Sequence, residues 1–340
     1  MPHIGDASSI VARGPATIAA GAPQTPRNTV RAGVARVRAA GPQGVVSARS
    51  PPPSAMPPPP DPTPVDNSLR REACPLCGAT VSAVGVMQLP PAIQFSTHWI
   101  SLRRPPELWR CEKCGSAFTQ NAIPEEVALG LYGKGDGGAR WSSHAPFEAT
   151  KTREAIDALR RLVRHGVRLL DVGCNTGELL DHARFLGAAT TGVEPSDASR
   201  AAAVARGHRV ERSLSEATGP FDVITAFDVL EHVYDVPAML AEVAAKLSPG
   251  GRFVALTGDI TCAEAKRAGA GWWYVQCPEH VVFPTLAALG AQPGYTVEQA
   301  VTTFADVGHE PRLLRRAWLT LSGRSRSDVH DHILVVLKKE

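Results

Sequence analysis

The sequence predicts an α/β fold for residues 148–340, built on a doubly wound parallel β-sheet. Short apolar segments alternate there with amphipathic segments of ~10–15 residues, which is the pattern of strands joined by crossover helices. Glycines end several of the amphipathic segments, as expected at helix C-termini. The 340-residue chain is 44% apolar and 20% charged, as in ordinary globular proteins, and contains no apolar run long enough to cross a membrane.

The predicted elements follow one another without an internal repeat. The first helix covers residues 148–166, where Ile156, Leu159, Leu162 and Val163 lie on one face and Gly166 ends the pattern. The expected strands are VRLLDVG, ATTGVEPS, HRVERS, FDVITAFDVL, GRFVALTGD and DHILVVLKKE. The helices expected between them are TGELLDHARFLG, DASRAAAVARG and VPAMLAEVAAKLSPGG.

Residues 1–66 differ from the rest in composition. They are rich in Ala, Pro, Gly and Arg and contain almost no aromatic residues, so they are expected to be disordered. Two other interpretations stay open for this segment: a transit peptide, or an extension upstream of a true start at Met56. No function is assigned to it.

Two C-x-x-C-G pairs, CPLCG and CEKCG, bound a small unit over residues 71–120. Two thiolates at this spacing can bind one side of a tetrahedral zinc ion, and four thiolates close its coordination shell. The pattern therefore predicts a structural zinc ribbon in a reducing, cytoplasmic setting, with two pairs of free thiols as the alternative. The expected ligands are Cys74, Cys77, Cys111 and Cys114.

A glycine-punctuated turn follows the first predicted strand, in LLDVGCNTGELL. In a doubly wound sheet the ligand binds over this turn, at the carboxyl ends of the strands. A dinucleotide site uses G-x-G-x-x-G there, because a pyrophosphate must approach bare backbone. Here Asn175 lies between Gly173 and Gly177, and asparagine adopts the left-handed conformation more readily than most residues. The turn can form, but a ligand without phosphates fits it better.

Glu194, at the end of the next strand, lies 23 positions after Asp171. An acid at this place can accept hydrogen bonds from both hydroxyls of a ribose. Together the turn and the acid indicate an adenosine-containing ligand without phosphates, for which S-adenosylmethionine is the obvious candidate.

The segments LLDVGCNTGELL, GVEPS, FDVITAFDVLEHV and LSPGG, in this order and spacing, resemble class I S-adenosylmethionine-dependent methyltransferases. The resemblance covers roughly residues 148–340 and implies their Rossmann-like doubly wound sheet. It also implies that Asp171 faces the methionine amino group and that Asp228 lies near the methionine moiety, with capping of the LEHV helix as the alternative for Asp228. ERSLSEATG has no clear acid for the adenine amine, so Ser213 and Leu214 are expected to contribute backbone contacts. The full set of implied cofactor residues is Asp171, Gly173, Asn175, Gly177, Glu194, Pro195, Ser213, Leu214 and Asp228.

A zinc ribbon followed by a class I domain is similar to a group of methyltransferases that act on sugars and other small metabolites. The segment QNAIPEEVALGLYG also resembles their linker, so residues 121–147 are expected to lie on the substrate side. A hydroxyl acceptor needs a base, usually a histidine. His280 is the first candidate, as base or substrate ligand, and His232 is the second; for both the alternative is a structural hydrogen bond.

Three adjacent aromatic residues, Trp272, Trp273 and Tyr274, are expected to form a lid or acceptor wall, or else to pack their loop onto the sheet. Cys262 and Cys277 are expected to be packing thiols.

These features favour S-adenosylmethionine-dependent methyl transfer to a small-molecule acceptor, a sugar or another polar metabolite. An RNA methyltransferase that uses the ribbon for RNA binding is a second interpretation. The net charge of +3 and the few basic residues in 71–120 count against it. A third is a catalytically silent cofactor-binding protein that acts through partners. The identity of the acceptor, the atom methylated and the oligomeric state do not follow from the sequence.

Overall fold

The computed structural model describes residues 61–136, 150–303 and 330–340. The strands are β1 (Thr63–Val65), β2 (Val81–Val86), β3 (Ile93–Phe95), β4 (His98–Leu102), β5 (Glu107–Cys111), β6 (Ala117–Gln120), β7 (Arg168–Val172), β8 (Ala189–Val193), β9 (Arg209–Glu211), β10 (Phe221–Phe227), β11 (Leu247–Gly258), β12 (Val282–Phe283), β13 (Tyr295–Thr303) and β14 (His332–Lys339). The helices are α1 (Glu125–Lys134), α2 (Thr150–Leu162), α3 (Glu178–Phe185), α4 (Asp197–Ala205), α5 (Val236–Lys246), α6 (Ala263–Ala268) and α7 (Leu286–Gly290).

Seven strands form the main sheet in the order β13-β14-β11-β10-β7-β8-β9. The pairs from β11 through β9 are parallel, while β14 is antiparallel to both of its neighbours. The strand order reverses between β7 and β10, which places the ligand-binding crevice at their carboxyl ends. The predicted doubly wound sheet is confirmed, but it is not wholly parallel, because the last strand runs in the opposite direction.

Successive side chains of a strand point to opposite faces of this sheet, and helices cover both faces. Leu169 packs with α2 and α3, whereas Leu170 packs with α5 and α7. The predicted apolar face is largely confirmed: Ile156 and Leu159 on α2 and Val163 directly after it are buried, and Leu162 is half-buried against the same core. Local signals fix the helix starts, as where Ser196 accepts a hydrogen bond from the Ser199 amide before α4.

The strands before position 125 form two smaller sheets, and β12, from later in the chain, joins one of them. Their strand orders are β12-β6-β5-β2 and β1-β4-β3. The first joins this region to the rest of the chain, because β12 comes from the loop after α6 and pairs with β6. Its register places Val282 opposite Phe118 and Phe283 opposite Ala117.

Three expectations need correction. Residues 63–65, inside the segment expected to be disordered, form a strand on β4, because Val65 packs against Phe95 and Ile100. The segment LSPGG begins β11 instead of ending the preceding helix. Strand β13 is absent from the sequence prediction because most of its side chains are exposed or half-buried, so its apolar pattern is weak.

Residues 1–60 and 137–149 lie outside the described residues, so the predictions made on them are not addressed by the structure. Among the helices that are described, none has the length and apolar character needed to cross a membrane.

Candidate functional site

The glycine loop lies at the carboxyl end of β7, on the crevice edge of the sheet. Gly173, Asn175 and Gly177 all have positive φ, at 74°, 48° and 91°, so the expected left-handed conformation of Asn175 is confirmed. A side chain at Gly173 would also collide with Val229, whose Cγ2 atom would lie 2.6 Å from the added Cβ. The Asn175 Oδ1 atom is buried and accepts no hydrogen bond from any described residue, so a ligand's donor group can pair with it.

Glu194 follows β8, the strand next to β7, and its carboxylate is buried. One carboxylate oxygen accepts a hydrogen bond from the Asn175 amide at 2.9 Å and the other from the Ser196 amide at 2.8 Å. Burial raises the pKa of Glu194, while these two amide hydrogen bonds and the Arg200 charge favour the ionised form. The glycine loop and the acid expected to bind ribose therefore form one hydrogen-bonded unit.

Asp171 is buried on β7 beside this unit and accepts a hydrogen bond from the Thr225 hydroxyl at 2.6 Å. Burial raises its pKa to about 7, with a smaller contribution from the Glu194 charge, although the Thr225 bond opposes the shift. A cation placed near Asp171 would favour the carboxylate form, because opposite charges stabilise one another strongly where water is excluded.

Asp228 lies in the left-handed region, with φ of 54°, directly after β10. Its amide donates to the Leu256 carbonyl oxygen at 2.8 Å, and its side chain is 39% exposed. The next residues form a single 3-10 turn, Leu230–His232, with Val229 at its N-cap position. Capping of this turn stays a prediction as the alternative role of Asp228.

The other residues expected at the cofactor lie at the ends of β8 and β9. Pro195 follows Glu194, and its carbonyl oxygen accepts a hydrogen bond from Arg200. Ser213 and Leu214 begin a 3-10 turn after β9, and Leu214 packs against the core. Their position at the crevice edge is compatible with adenine binding, which stays a prediction.

The structure brings the two candidate catalytic histidines together. The rings of His232 and His280 pack edge to face with their centroids 4.8 Å apart. The Nδ1 atom of His232 lies 3.0 Å from the Glu279 carbonyl oxygen, and that of His280 lies 2.7 Å from the Tyr274 carbonyl oxygen. Because a carbonyl oxygen only accepts, each Nδ1 carries its hydrogen, and Nε2 is the basic nitrogen of each neutral ring.

Five residues around these histidines escaped the sequence analysis, namely Tyr132, Glu231, Thr257, Glu279 and Ser96. The Tyr132 hydroxyl, on α1, lies 2.9 Å from His232 Nδ1. Glu231 is fully buried and accepts hydrogen bonds from the hydroxyls of Thr257, at 2.8 Å, and Tyr274. The buried Glu279 carboxylate accepts a hydrogen bond from the Ser96 amide. Glu231 directly precedes His232 in LEHV, and Glu279 directly precedes His280 in PEHV. That position was the only sequence signal for the two acids.

The three adjacent aromatic residues divide between the two expected roles. Trp272 and Tyr274 are buried and pack the loop, whereas Trp273 is 41% exposed and is the only one available as an acceptor wall. Cys262 is buried and its sulfur caps α6, and Cys277 lies 3.5 Å from Glu279.

The four cysteines of the two knuckles converge, with all four sulfurs within 4.8 Å of one another. The Cys74–Cys114 and Cys77–Cys111 sulfur distances are 3.7 and 3.5 Å. Four thiolates about 2.3 Å from one zinc ion would lie about 3.8 Å apart, so the donor set fits that metal. Each knuckle ends in a glycine with positive φ, Gly78 and Gly115, whose amide donates to the carbonyl oxygen of the first cysteine.

The cysteine knuckles and the loop that carries His280 are joined by hydrogen bonds. The Thr119 hydroxyl donates to the His280 carbonyl oxygen at 3.0 Å, and the Thr285 hydroxyl donates to the Cys114 carbonyl oxygen at 2.8 Å. The loop that carries His280 is therefore attached to the cysteine-bearing sheet at the histidine itself and again at Thr285.

A family model for the methyltransferase domain matches residues 147–300. The ubiquinone biosynthesis O-methyltransferase of Methylobacterium nodulans is 35% identical over 147 residues, which cover 38% of this chain and 59% of the relative. The enzyme of the same name from Xanthomonas oryzae pv. oryzae is 35% identical over 154 residues, covering 40% of this chain and 62% of the relative. The chain thus spans less than two thirds of the length of these curated relatives.

A solved S-adenosylmethionine-dependent methyltransferase from Mesorhizobium loti is similar in structure, with a TM-score of 0.42 and 22% identity. The superposition covers 57% of this chain and 100% of that one.

Proposed function

We propose that this protein, whose residues 147–300 form a class I S-adenosylmethionine-dependent methyltransferase domain, transfers the cofactor's methyl group to a polar small-molecule acceptor. One observation carries the proposal. The left-handed glycine loop and the buried Glu194 carboxylate are hydrogen-bonded to one another at the carboxyl edge of the sheet, where β7 and β8 end. That arrangement fits a ribose on the acid and a methionine end over the loop, with no phosphate between them.

The cofactor supplies an electrophilic methyl group on a sulfonium, and the chain's own residues hold it. We assign the ribose hydroxyls to Glu194 and the methionine ammonium to Asp171 and the buried Asn175 amide oxygen. Gly173 and Gly177 let the loop turn, and Pro195, Ser213 and Leu214 are assigned to the adenosine side. Asp228, at the end of β10, completes the methionine side of the crevice.

The acceptor is assigned to the cluster of His280, His232 and Tyr132. In-line displacement requires the acceptor oxygen to be positioned and its proton to be removed. Both histidines have their Nδ1 hydrogens fixed on main-chain carbonyls, so their Nε2 atoms can accept hydrogen bonds from acceptor hydroxyls. A sugar or a comparable polar metabolite presents several such hydroxyls and can stack on the exposed ring of Trp273. The relatives named for ubiquinone biosynthesis support a small acceptor and transfer to oxygen.

The cysteine cluster is assigned a structural zinc ion. Four cysteine ligands leave no coordination position open, so the ion would hold the knuckles together and take no part in the transfer. Its support is the convergence of four sulfurs at distances that fit tetrahedral zinc.

The test is calorimetric titration of S-adenosylhomocysteine into the full chain, beside Glu194→Gln and Glu298→Gln variants. Glu298 lies on β13, at the far edge of the sheet, and pairs with Arg252 of β11, so its variant is a matched control. The Glu194 variant should bind about 10–100-fold more weakly, because two hydrogen bonds to a charged acceptor are weakened. The proposal is rejected when the folded wild-type chain does not bind, or when both variants bind equally well.

Binding should be followed by a screen for methyl transfer from S-adenosylmethionine to nucleotide sugars and to dihydroxybenzenes, with total RNA as the comparison acceptor. Methylation of RNA in preference to the small molecules would overturn the acceptor assignment and leave the cofactor assignment intact.

A further inference from the structure

A cavity of about 500 Å³ lies at the edge of the main sheet opposite the crevice. It is lined by Asp222, the second residue of β10, whose partner Arg168 is the first residue of β7, so the parallel strands begin at this edge. Strand β7 is five residues long, which places the cavity and the glycine loop about 13 Å apart at about 3.3 Å per residue. A ligand in this cavity would therefore not occupy the sites assigned to the cofactor and the acceptor.

One wall of the cavity is a bulge in β11. The register between β10 and β11 shifts there, so four residues of β11, 248–251, lie opposite the single residue Asp222. Gly250 in this bulge has a φ of 69°, and its carbonyl oxygen accepts a hydrogen bond from Arg252 at 3.0 Å. The bulge contains the SPGG part of the LSPGG segment, to which the proposed methyl transfer assigns no role.

The opposite wall is the turn that joins α2 to β7. The Val167 amide donates to the Arg164 carbonyl oxygen at 3.1 Å, and the Gly166 amide donates to the Gly187 carbonyl oxygen at 3.0 Å. Gly166 has a φ of 85°, in the left-handed region that glycine adopts at no steric cost. Main-chain hydrogen bonds thus fix the turn and hold its side chains at the cavity.

The lining of the cavity is strongly basic. Its charged and titratable side chains are three arginines, one histidine and a single carboxylate, namely Arg161, Arg164, Arg252, His165 and Asp222. Asp222 is already neutralised, because Arg168 donates to both of its carboxylate oxygens, at 2.8 and 3.2 Å, and holds the pKa of Asp222 well below its usual range. Arg252 is paired with Glu298.

The other two arginines of the lining, Arg161 and Arg164, have no acid partner among the described residues. The Arg161 guanidinium donates to the neutral side-chain oxygen of Gln299 at 3.4 Å. The Arg164 guanidinium and the His165 ring bond to no residue in the described part of the chain. Guanidinium groups bind phosphate through pairs of parallel hydrogen bonds. Two unpaired guanidinium groups match two phosphoryl groups, and the cavity volume lies within the range of about 300–1,000 Å³ that is usual for small-molecule sites.

We propose that this cavity binds the diphosphate group of a small molecule, at a second ligand site that is independent of methyl transfer. Arg161 and Arg164 hold the phosphoryl oxygens from the α2 side, and Arg252 lies on the side of the bulge. The rest of the ligand packs against the apolar part of the lining, which consists of Leu162, Val167, Val223 and Pro249.

Arginines at this place also have a simpler role, which is to compensate the partial negative charge at the C-terminus of α2. Arg160 is suited to that role as well, because it lies in the last turn of α2 and pairs with Asp157. Arg160 is not part of the cavity lining. It is therefore a matched control, since its loss removes the same charge from the same end of the helix.

The experiment is calorimetric titration of inorganic pyrophosphate into the full chain, with excess S-adenosylhomocysteine present to occupy the crevice. The variants are Arg161→Gln, Arg164→Gln and the control Arg160→Gln. The first two should each bind pyrophosphate about tenfold more weakly, because each loses hydrogen bonds to a charged ligand. The control should stay within about twofold of wild type. Thermal unfolding checks that each variant is folded, and if one of the first two is not, the other decides.

Failure of the folded wild-type chain to bind pyrophosphate would overturn the proposal. Equal weakening in all three variants would do the same, because it would indicate general attraction to a basic surface. Lower thermal stability with unchanged affinity in Arg161→Gln and Arg164→Gln would assign these arginines to the helix end alone.

Total RNA is the comparison ligand. Binding of RNA that the Arg161 and Arg164 variants lose, without binding of pyrophosphate, would replace the small molecule by a nucleic-acid backbone. Pyrophosphate binding does not depend on S-adenosylhomocysteine binding, so this proposal and the proposed function can fail separately.

Discussion

The two ends of the crevice are assembled in different ways. Three parts of the proposed cofactor end, Asp171, the glycine loop and Glu194, lie within 24 residues of the sequence, and the other assigned residues follow within 34 positions of Glu194. The acceptor end brings Tyr132 to His232 across 100 positions and Thr119 to His280 across 161. From this comparison we expect cofactor binding to depend mainly on the unit formed by β7, the glycine loop and β8, and acceptor binding to depend on the position of the cysteine-bearing sheet. A change in that sheet should therefore separate the two activities.

Among the variants, Cys111→Ser in the full chain is expected to affect the cysteine-bearing sheet most strongly while leaving cofactor binding nearly unchanged. Loss of one thiolate should release the zinc, whose binding contributes about 10 kcal/mol or more to folding in small zinc domains. We expect loss of bound zinc, measured by elemental mass spectrometry, and faster hydrogen exchange at the amides of Thr119 and Val281. The affinity for S-adenosylhomocysteine should stay within about threefold of wild type, because its assigned residues lie on the main sheet and on the loops that follow β7, β8, β9 and β10.

The control for that variant is Cys262→Ser, which changes a buried thiol outside the cluster. Cys262 caps α6 through its sulfur, and serine is a good capping residue, so zinc content and exchange should not change. Loss of cofactor binding together with zinc in Cys111→Ser would show that the two ends are not separable.

A smaller effect, confined to the cofactor end, is expected from pH. Burial raises the pKa of Asp171 to about 7, and the ligand's ammonium binds the ionised carboxylate. The affinity that S-adenosylmethionine and S-adenosylhomocysteine share should therefore fall as pH drops through about 7. The loss should be about tenfold between about pH 8 and about pH 6.

Asp171→Asn should bind both ligands more weakly at high pH and lose this shared dependence, as measured by calorimetry. An unchanged pH profile in the variant would assign the dependence to another group, such as Glu194.

The smallest effect is expected from Thr119→Val, which removes the hydroxyl that holds the His280 carbonyl oxygen. Loss of one buried hydrogen bond should lower the free energy of unfolding by about 1–2 kcal/mol in urea denaturation. Hydrogen exchange should rise at Val281, while S-adenosylhomocysteine affinity should not change. As a control, Thr302→Val at an exposed position should lower the free energy of unfolding by less than about 0.5 kcal/mol. Equal losses of unfolding free energy at both sites would show that the Thr119 hydrogen bond to the His280 loop does not stabilise the protein.

The elements of the α/β domain could be predicted from the sequence because each leaves a local pattern. The strand at Arg168–Val172 is a buried apolar run, α2 repeats its apolar residues at helical spacing, and glycines end the helices. Strand β13 left no such pattern, since it lies at the sheet edge with most of its side chains at least partly exposed. The left-handed turn at Asn175 was also predictable, because a single residue's conformational preference decides it.

The sequence by itself therefore determined the order of the elements, the glycine loop with its acid, and the pairing of the cysteine knuckles. All of these depend on residues close together in the chain or on repeated motifs. The tertiary structure alone decided that the last strand runs in reverse, which places His332 at the crevice. It also decided that Tyr132 and Thr119 reach the two predicted histidines. These two contacts join residues 100 and 161 positions apart. Strand direction is set by how the whole sheet buries its two faces rather than by any local pattern.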